Sequence, residues 1–403
     1  MKMAGITAAL PAQDLDRAKL LRREGWTSGT GIPLSAATPG VGASSTPMSD
    51  FVVKRDDLRE RRIVESRVPE LEPGQTLLRV DSFGLSANNV TYAALGEMMS
   101  YWDYFPAENG WGRVPMWGFA QVERSEASDV EPGMRIYGYL PPSSYVAVTP
   151  AQAGANGFVD GSPHRAALPA TYQRYLATDT DPFYRAGTED LQMLLRPLFF
   201  TSFLIEDQLV DDGLAERGPI VISSASSKTA IGAAFLLAQR EGVELIGLTS
   251  AGNVALVEDL GVYARTVTYD AIESLDRGPA TFVDIAGDAT VRLAVHAHYA
   301  EELVYSMRVG RTHWEAVDAS GGGLPGPSPT LFFAPDRVTK RSEEWGAAEL
   351  QTRVSAAWHP FCEWTSSWLE VIHGRGFEAV QRAYLDVLEG RVEANTAHVL
   401  SPA

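Results

Sequence analysis

PIVISSASSKTAIGAAFLLAQREG, residues 219–242, is the stretch on which the fold turns. Ile220, Val221 and Ile222 form a short apolar, β-branched run of the kind that makes a fully buried strand. Five small residues follow, Ser223 to Ser227, and then an apolar helical pattern that stops at Gly242. VELIGLTSAGNVALVEDLGV, residues 243–262, repeats the order strand, small-residue turn, helix, and stops at Gly261. ARTVTYD (264–270), ATFVDIAG (280–287) and EELVYSMRVG (301–310) read as further strands. Strands alternating with helices mean βαβ units and a parallel sheet.

Upstream the pattern is different. QTLLRVDSFGLSA (75–87), VPMWGFAQVERSE (114–126) and EPGMRIYGYLPPSSYVAV (131–148) are short β segments broken by Gly and Pro, as in a small barrel or sandwich. Residues 149–190, rich in Ala, Gly and Pro, read as an inserted loop. TEDLQMLLRPLFFTSFLIEDQLVDDG (188–213) reads as a helix interrupted at Pro197. SGTGIPLSAATPGVGASSTP (28–47) has no period, so residues 1–47 are expected to be a disordered leader, with Met48 a candidate start.

The whole chain of 403 residues is acidic, with 51 Asp and Glu against 34 Lys and Arg, a formal charge of −17. Such a surface repels phosphate backbones and anionic lipid, which argues against nucleic-acid partners. No apolar run approaches the ~18 residues of a membrane span. A single cysteine, Cys362, excludes an internal disulfide and a Cys-rich metal site, and a cytoplasmic location is the default expectation.

The first turn carries the main chemical signal. A dinucleotide site needs small residues where a strand enters a helix, so that the backbone can approach a pyrophosphate at the helix N-terminus. The usual GxGxxG glycines are missing. Ser224, Ser226, Ser227 and Thr229 nevertheless offer hydroxyls, and Lys228 a positive charge. The same residues would also serve as an ordinary helix cap. After the second strand no acid stands ready to accept from ribose hydroxyls. Thr249, Ser250 and Asn253 can instead donate to a 2′-phosphate, which favours NADP (NADPH), although they also suit a plain turn.

In its order of parts the chain resembles the medium-chain dehydrogenase/reductase superfamily, and in particular its zinc-independent quinone- and enoyl-reductase branches. GQTLLRVDSFGLSANNVTYAALGEM (74–98), VPMWGFAQVERSE and PGMRIYGY (132–139) resemble successive stretches of the family's catalytic domain. FFTSFLIEDQL (199–209) stands where the family has a Thr-Ala pair near the nicotinamide, which implies a cofactor role for Thr201. VTYD (267–270) implies that Tyr269 lies near the adenosine 2′-phosphate. The fold so implied is α/β: a GroES-like β-rich substrate domain, 48–195 completed by 330–403, and a Rossmann doubly wound parallel-sheet domain, 196–329. Members of the superfamily commonly pair sheets edge to edge, so a homodimer is expected, with EELVYSMRVG as the edge.

Zinc members carry Cys and His-Glu where this chain has Ser86 and Phe119-Ala120, so no metal is expected. Hydride chemistry then asks the protein only to position the cofactor and handle a proton or oxyanion. Candidate donors are Asn88, Asn89, Tyr92, Tyr101 and Tyr104 in one stretch, and His313 within Thr312-His313-Trp314. In the superfamily both stretches lie beside the cleft between lobes. Of these, Tyr92, Tyr101, His313 and Asn89 are the catalytic candidates. Each also has a plain structural reading: packing for the tyrosines, a hydrogen-bonded structural role for His313, backbone satisfaction for Asn89. The expected function is zinc-independent, NADP-dependent reduction of a small apolar enone, quinone or carbonyl compound. The alternatives are a non-catalytic NADP-binding sensor or scaffold, and a lyase or isomerase without net redox change.

Overall fold

The computed structural model describes residues 46–309 and 323–403. The chain forms two compact units. One comprises 46–194, Val371–Val392 and Ala397–Ala403, and the other Leu195–Glu370 with Glu393–Thr396.

In the second unit six parallel strands lie side by side. In chain order they are Ile220–Ser223, Leu245–Thr249, Arg265–Thr268, Ala280–Asp284, Leu303–Val309 and Thr330–Phe332. Across the sheet they run third, second, first, fourth, fifth, sixth, the strand order of a Rossmann sheet. The first, second and fourth strands are buried at every position, as a parallel sheet covered on both faces requires. Val221, Leu248, Phe282 and Val295 belong to its core. Where the strand order reverses, between Ile220–Ser223 and Ala280–Asp284, the carboxyl ends leave the crevice in which open α/β sheets bind ligands.

The β-rich unit is antiparallel. A three-stranded sheet pairs Pro47–Lys54 with Asp57–Arg67 and Trp111–Gly112. A nine-stranded sheet is centred on Thr76–Leu85 and Met116–Ser125. Its largest core cluster includes Phe51, Leu78, Phe83, Ile136 and Tyr384. The α/β class, with one parallel-sheet unit and one β-rich unit, is therefore as the sequence implied.

Four expectations need correction. Residues 149–190 are not simply a loop, since Pro150–Gly154, Gly157–Asp160 and Arg174–Ala177 are paired strands. The helix Glu189–Asp211 runs on through Pro197. The proline removes one N–H, and close packing holds the turn above it: a Cβ on Gly84 would stand 2.9 Å from the Met193 carbonyl. Residues 330–403 do not all complete the β-rich unit. The helices Ala334–Trp345 and Ala347–Thr365 count with the parallel sheet, where Trp358 and Phe361 pack on Phe199 at ring distances of 5.4 and 4.6 Å. Finally, EELVYSMRVG is not an edge, because Leu303–Val309 is paired on both sides and Thr330–Phe332 takes the edge position. Of the expected leader 1–47, residues 1–45 lie outside the described residues, and Pro47 opens the first strand.

Candidate functional site

The strand Ile220–Ser223 feeds the helix Lys228–Leu237 through four residues. Ser227 is the N-cap, in extended backbone, and its Oγ accepts the Ala230 N–H at 3.4 Å. Among the described residues the amides of Ser226, Lys228 and Thr229 have no acceptor, so three donors stand at the positive end of the helix. Two buried hydroxyls join them. Ser224 and Thr249 are each 1% exposed, and among the described residues neither Ser224 Oγ nor Thr249 Oγ1 has a hydrogen-bond partner. A buried hydroxyl without a partner costs on the order of 1–3 kcal/mol, a cost that an arriving acceptor removes.

Ser224 takes the place of the first fingerprint glycine, and with φ = 55° it keeps a glycine-like conformation. A non-glycine residue held there costs about 1 kcal/mol. Ser224→Gly is therefore expected to stabilise the protein by up to about 1 kcal/mol in urea unfolding, since the Ser224 hydroxyl makes no bond to lose. A loss of stability would mean that the strain lies elsewhere.

Tyrosines brace both sides of this turn. Tyr263 donates its hydroxyl to the Ala225 carbonyl at 3.2 Å, and the Tyr269 hydroxyl accepts the Ser224 N–H at 3.0 Å. Burial holds both phenols above their ordinary value of 10.0, so both stay neutral. At the switch point Ser223 Oγ donates to Asp284 Oδ1 at 3.0 Å and accepts from the amides of Ile285 and Ala286, both at 2.9 Å. Asp284 is fully buried and also holds the Gly287 N–H and the Arg292 guanidinium, each at 2.9 Å. Ser223, Tyr263, Asp284 and Arg292 were not singled out from the sequence. An acid closing an otherwise apolar strand, as in ATFVD, was the available signal.

The expected cofactor residues divide. Ser224, Ser226, Ser227, Lys228 and Thr229 share the turn and the first helical turn. Thr249 and Ser250 end the neighbouring strand, and Asn253 Nδ2 donates to Ser226 Oγ at 3.0 Å, tying the second turn to the first. The Lys228 ammonium donates to the carbonyls of Ala394 and Thr396 at 3.3 and 3.4 Å, leaving one N–H for a ligand. With no carboxylate beside it, burial pulls its pKa down to about 8. Thr201 donates to its own helix at Pro197 O, 3.4 Å. Next to it, a Cβ on Gly232 would come 2.6 Å from Ser202 Oγ, so this glycine permits close packing of two helices.

In the β-rich unit the tyrosine candidates form one aromatic nest. Tyr92 lies tilted against Tyr101 at 4.7 Å between ring centroids and meets Tyr139 edge-on at 5.6 Å. Asn88 Nδ2 donates to the Tyr92 hydroxyl at 2.8 Å, leaving the phenolic proton free to donate. Burial pushes Tyr101 up to about 12 and Tyr92, Tyr104 and Tyr139 further still, so all are neutral donors at physiological pH. Asn89 is spent on backbone. It accepts the Ser86 N–H at 2.9 Å and donates to Pro115 O at 3.1 Å, which makes it a clamp on the loop rather than a group facing a substrate. His313 lies outside the described residues. Phe119 and Ala120, which the resemblance sets against zinc ligands, are fully buried apolar core, and among the described residues no three His, Cys, Asp or Glu converge as a metal needs. None of the described helices is long and apolar enough to cross a membrane.

A family model described as Protein of unknown function (DUF2855) matches residues 83–393. Among curated proteins none matches the chain. Solved structures share the fold. CurA from Vibrio vulnificus in complex with NADPH superposes with a TM-score of 0.54 at 13% identity, over 88% of this chain and 99% of that one. A candidate NADPH:quinone reductase from Mesorhizobium loti gives 0.56 at 12% identity, over 90% and 100%. A mutant enoyl thioester reductase from Candida tropicalis gives 0.52 at 10% identity, over 88% and 99%.

Proposed function

The chain belongs to the family described as Protein of unknown function (DUF2855), and from that premise we propose that it is a zinc-independent, NADPH-dependent reductase of an apolar enone, quinone or carbonyl compound. One observation carries the cofactor half. Two buried, unpartnered hydroxyls, on Ser224 and Thr249, stand beside three unbonded amides at a helix N-terminus, on a sheet of Rossmann order. The donor set fits an anionic dinucleotide, with the amides and Lys228 for the diphosphate and the Thr249 and Ser250 hydroxyls for a 2′-phosphate. No acid in the Thr249–Asn253 turn would repel that phosphate. When bound, the dinucleotide supplies a hydride.

The protein's own part is then electrostatic. Tyr92 and Tyr101, kept protonated by burial, donate to a carbonyl oxygen that gathers negative charge. Asn88 fixes the orientation of the Tyr92 hydroxyl. Asn89 moves from a catalytic to a positioning role, holding the loop at Ser86 and Pro115. NADP relatives of this fold support the reading, since CurA is known with NADPH.

NADPH is expected to raise the unfolding midpoint and to bind at least tenfold more tightly than NADH in fluorescence titration. Binding of neither coenzyme would remove the oxidoreductase reading. A second reading, a non-catalytic NADP-binding protein, draws on the missing glycines: Ser226 and Thr229 stand where a fingerprint that starts at Ser224 has its second and third. It predicts binding without turnover on any quinone, enone or aldehyde.

A further inference from the structure

The aromatic nest has an occupant of its own. Tyr172 stands on the one-turn helix Ala170–Tyr172, within the segment between the strands Gly157–Asp160 and Arg174–Ala177. Its ring lies 4.9 Å from Tyr139, 5.6 Å from Tyr104, 5.9 Å from Tyr101, 6.0 Å from Trp117 and 6.4 Å from Tyr92. One side chain thus touches every other ring of the group edge-on or tilted, the geometry of a guest among aromatic walls.

The segment that carries it is lightly held on one side. Pro169, Ala170 and Thr171 are exposed, and the Tyr104 hydroxyl reaches Pro169 O at a long 3.3 Å. The other side is fixed, because Gln173 is buried and donates to Arg165 O and Leu168 O at 2.9 and 2.6 Å. Beneath the guest the polar inventory does not close. The Tyr139 hydroxyl is fully buried and without a partner among the described residues. The Trp117 indole N–H leans toward Tyr92 without reaching a full hydrogen bond. Such orphaned donors favour a ligand that brings an acceptor.

We propose that Tyr172 is a built-in stand-in for a ligand, and that the nest of Tyr92, Tyr101, Tyr104, Trp117 and Tyr139 takes up a planar, uncharged ring bearing a carbonyl acceptor once Tyr172 swings out. The walls select for flatness by stacking and against anions, because the phenols are neutral and the nearby cation, Arg165, 5.8 Å from the Tyr104 ring centroid, is already paired with Asp160. The Tyr139 hydroxyl donates to the ligand carbonyl. This deepens the reductase reading by naming a substrate class, but it requires only the β-rich unit and no coenzyme.

The test is calorimetric titration of the full chain, without coenzyme, using 1,4-naphthoquinone and, as the anionic ring of similar size, 1-naphthoate. Naphthoquinone should bind the Tyr172→Ala variant at least tenfold more tightly than the wild type. Tyr172→Phe, which keeps the ring and loses only the hydroxyl contact with Tyr101, should stay within about threefold of the wild type, well short of the gain in Tyr172→Ala. Adding Tyr139→Phe to Tyr172→Ala should cost about fivefold, and naphthoate should bind none of them measurably. Should Tyr172→Ala not fold, Tyr104→Phe frees Pro169 alone and should tighten naphthoquinone binding about threefold. Equal affinity of wild type and the opened variants overturns the proposal, as does naphthoate binding as well as the quinone. NADPH binding with no gain on opening the nest would defeat this inference alone. Ring binding without NADPH binding would defeat the reductase reading and leave this one standing.

Discussion

Replacing Lys228 by methionine is expected to weaken NADPH binding by roughly 30-fold or more while leaving the protein slightly more stable. The ammonium has no carboxylate partner, and burial pulls its pKa down to about 8 from an ordinary 10.5. A lowered value on a base means that folding works against the charged form. Below pH 8 the folded and unfolded chains both carry the proton, and the penalty is fully present. Between about 8 and 10.5 the unfolded chain binds more protons than the folded one, so stability rises with pH there. Methionine removes the buried charge at neutral pH. It also leaves the carbonyls of Ala394 and Thr396 without their donor, a loss of roughly 1 kcal/mol that offsets part of the gain. A net gain of about 1 kcal/mol in chemical unfolding is the expected result.

The binding side of the same substitution has the opposite sign. A diphosphate arriving at the amides of Lys228 and Thr229 meets the remaining ammonium N–H, and a charge-assisted contact of that kind is worth about 2 kcal/mol, hence the 30-fold figure. The bound anion raises the Lys228 pKa again, so wild-type affinity should be level up to about pH 8 and fall above it. Lys228→Met should show low affinity that is flat with pH, and Lys228→Arg a high affinity with no fall near 8. Titrations from pH 7 to 9.5 check this. A Lys228→Met protein with wild-type affinity and pH profile would show that the ammonium serves only the carbonyls.

What was legible in the sequence follows from range of interaction. The parallel sheet was readable because IVIS, LIGLT and ATFVD are buried at every position, so composition alone carries the signal. The turn at Ser224 was readable because helix caps and tight turns are local. Its braces were less so: the resemblance named Tyr269 only for a cofactor role, and Tyr263, Tyr269 and Asp284 reach the turn from 38, 45 and 61 residues away. The strands in 149–190 were hidden by their Ala, Gly and Pro content: PAQAG and GFVD are strands by virtue of pairing, not of propensity. For the same reason Tyr172 looked like a loop residue, although its ring lies among five others drawn from four separate segments. The dual character of Asn89 was visible as two open readings, and the bonds to Ser86 and Pro115 favour the backbone one.

The largest stability effect is expected far from the turn, at Arg165 and Asp160. Both are charged and almost wholly buried, with side chains 2% and 1% exposed, and Arg165 Nη1 lies 3.1 Å from Asp160 Oδ2. The pair is well furnished. Asp160 Oδ1 accepts the Ser162 N–H at 2.9 Å, the Ser162 hydroxyl at 2.6 Å and the Thr149 N–H at 3.2 Å. Arg165 Nε donates to Tyr104 O at 3.1 Å, and its guanidinium lies 4.6 Å above the Phe105 ring. This cation therefore fixes the backbone of the Tyr104–Phe105 segment, from which one wall of the nest projects. Removing either partner strands the other charge in the interior, which costs about 3–5 kcal/mol. Arg165→Met and Asp160→Asn should each lower stability by that amount in urea unfolding followed by tryptophan fluorescence. Asparagine keeps an acceptor for Ser162 and Thr149, and methionine keeps the volume of the stem, so the double variant strands no charge and leaves only the Tyr104 carbonyl without its Arg165 donor. It should be more stable than the sum of the single losses by about 1–3 kcal/mol. Strict additivity would mean that the two charges act separately, and that the anchoring of Tyr104 rests on the Arg165 Nε bond alone.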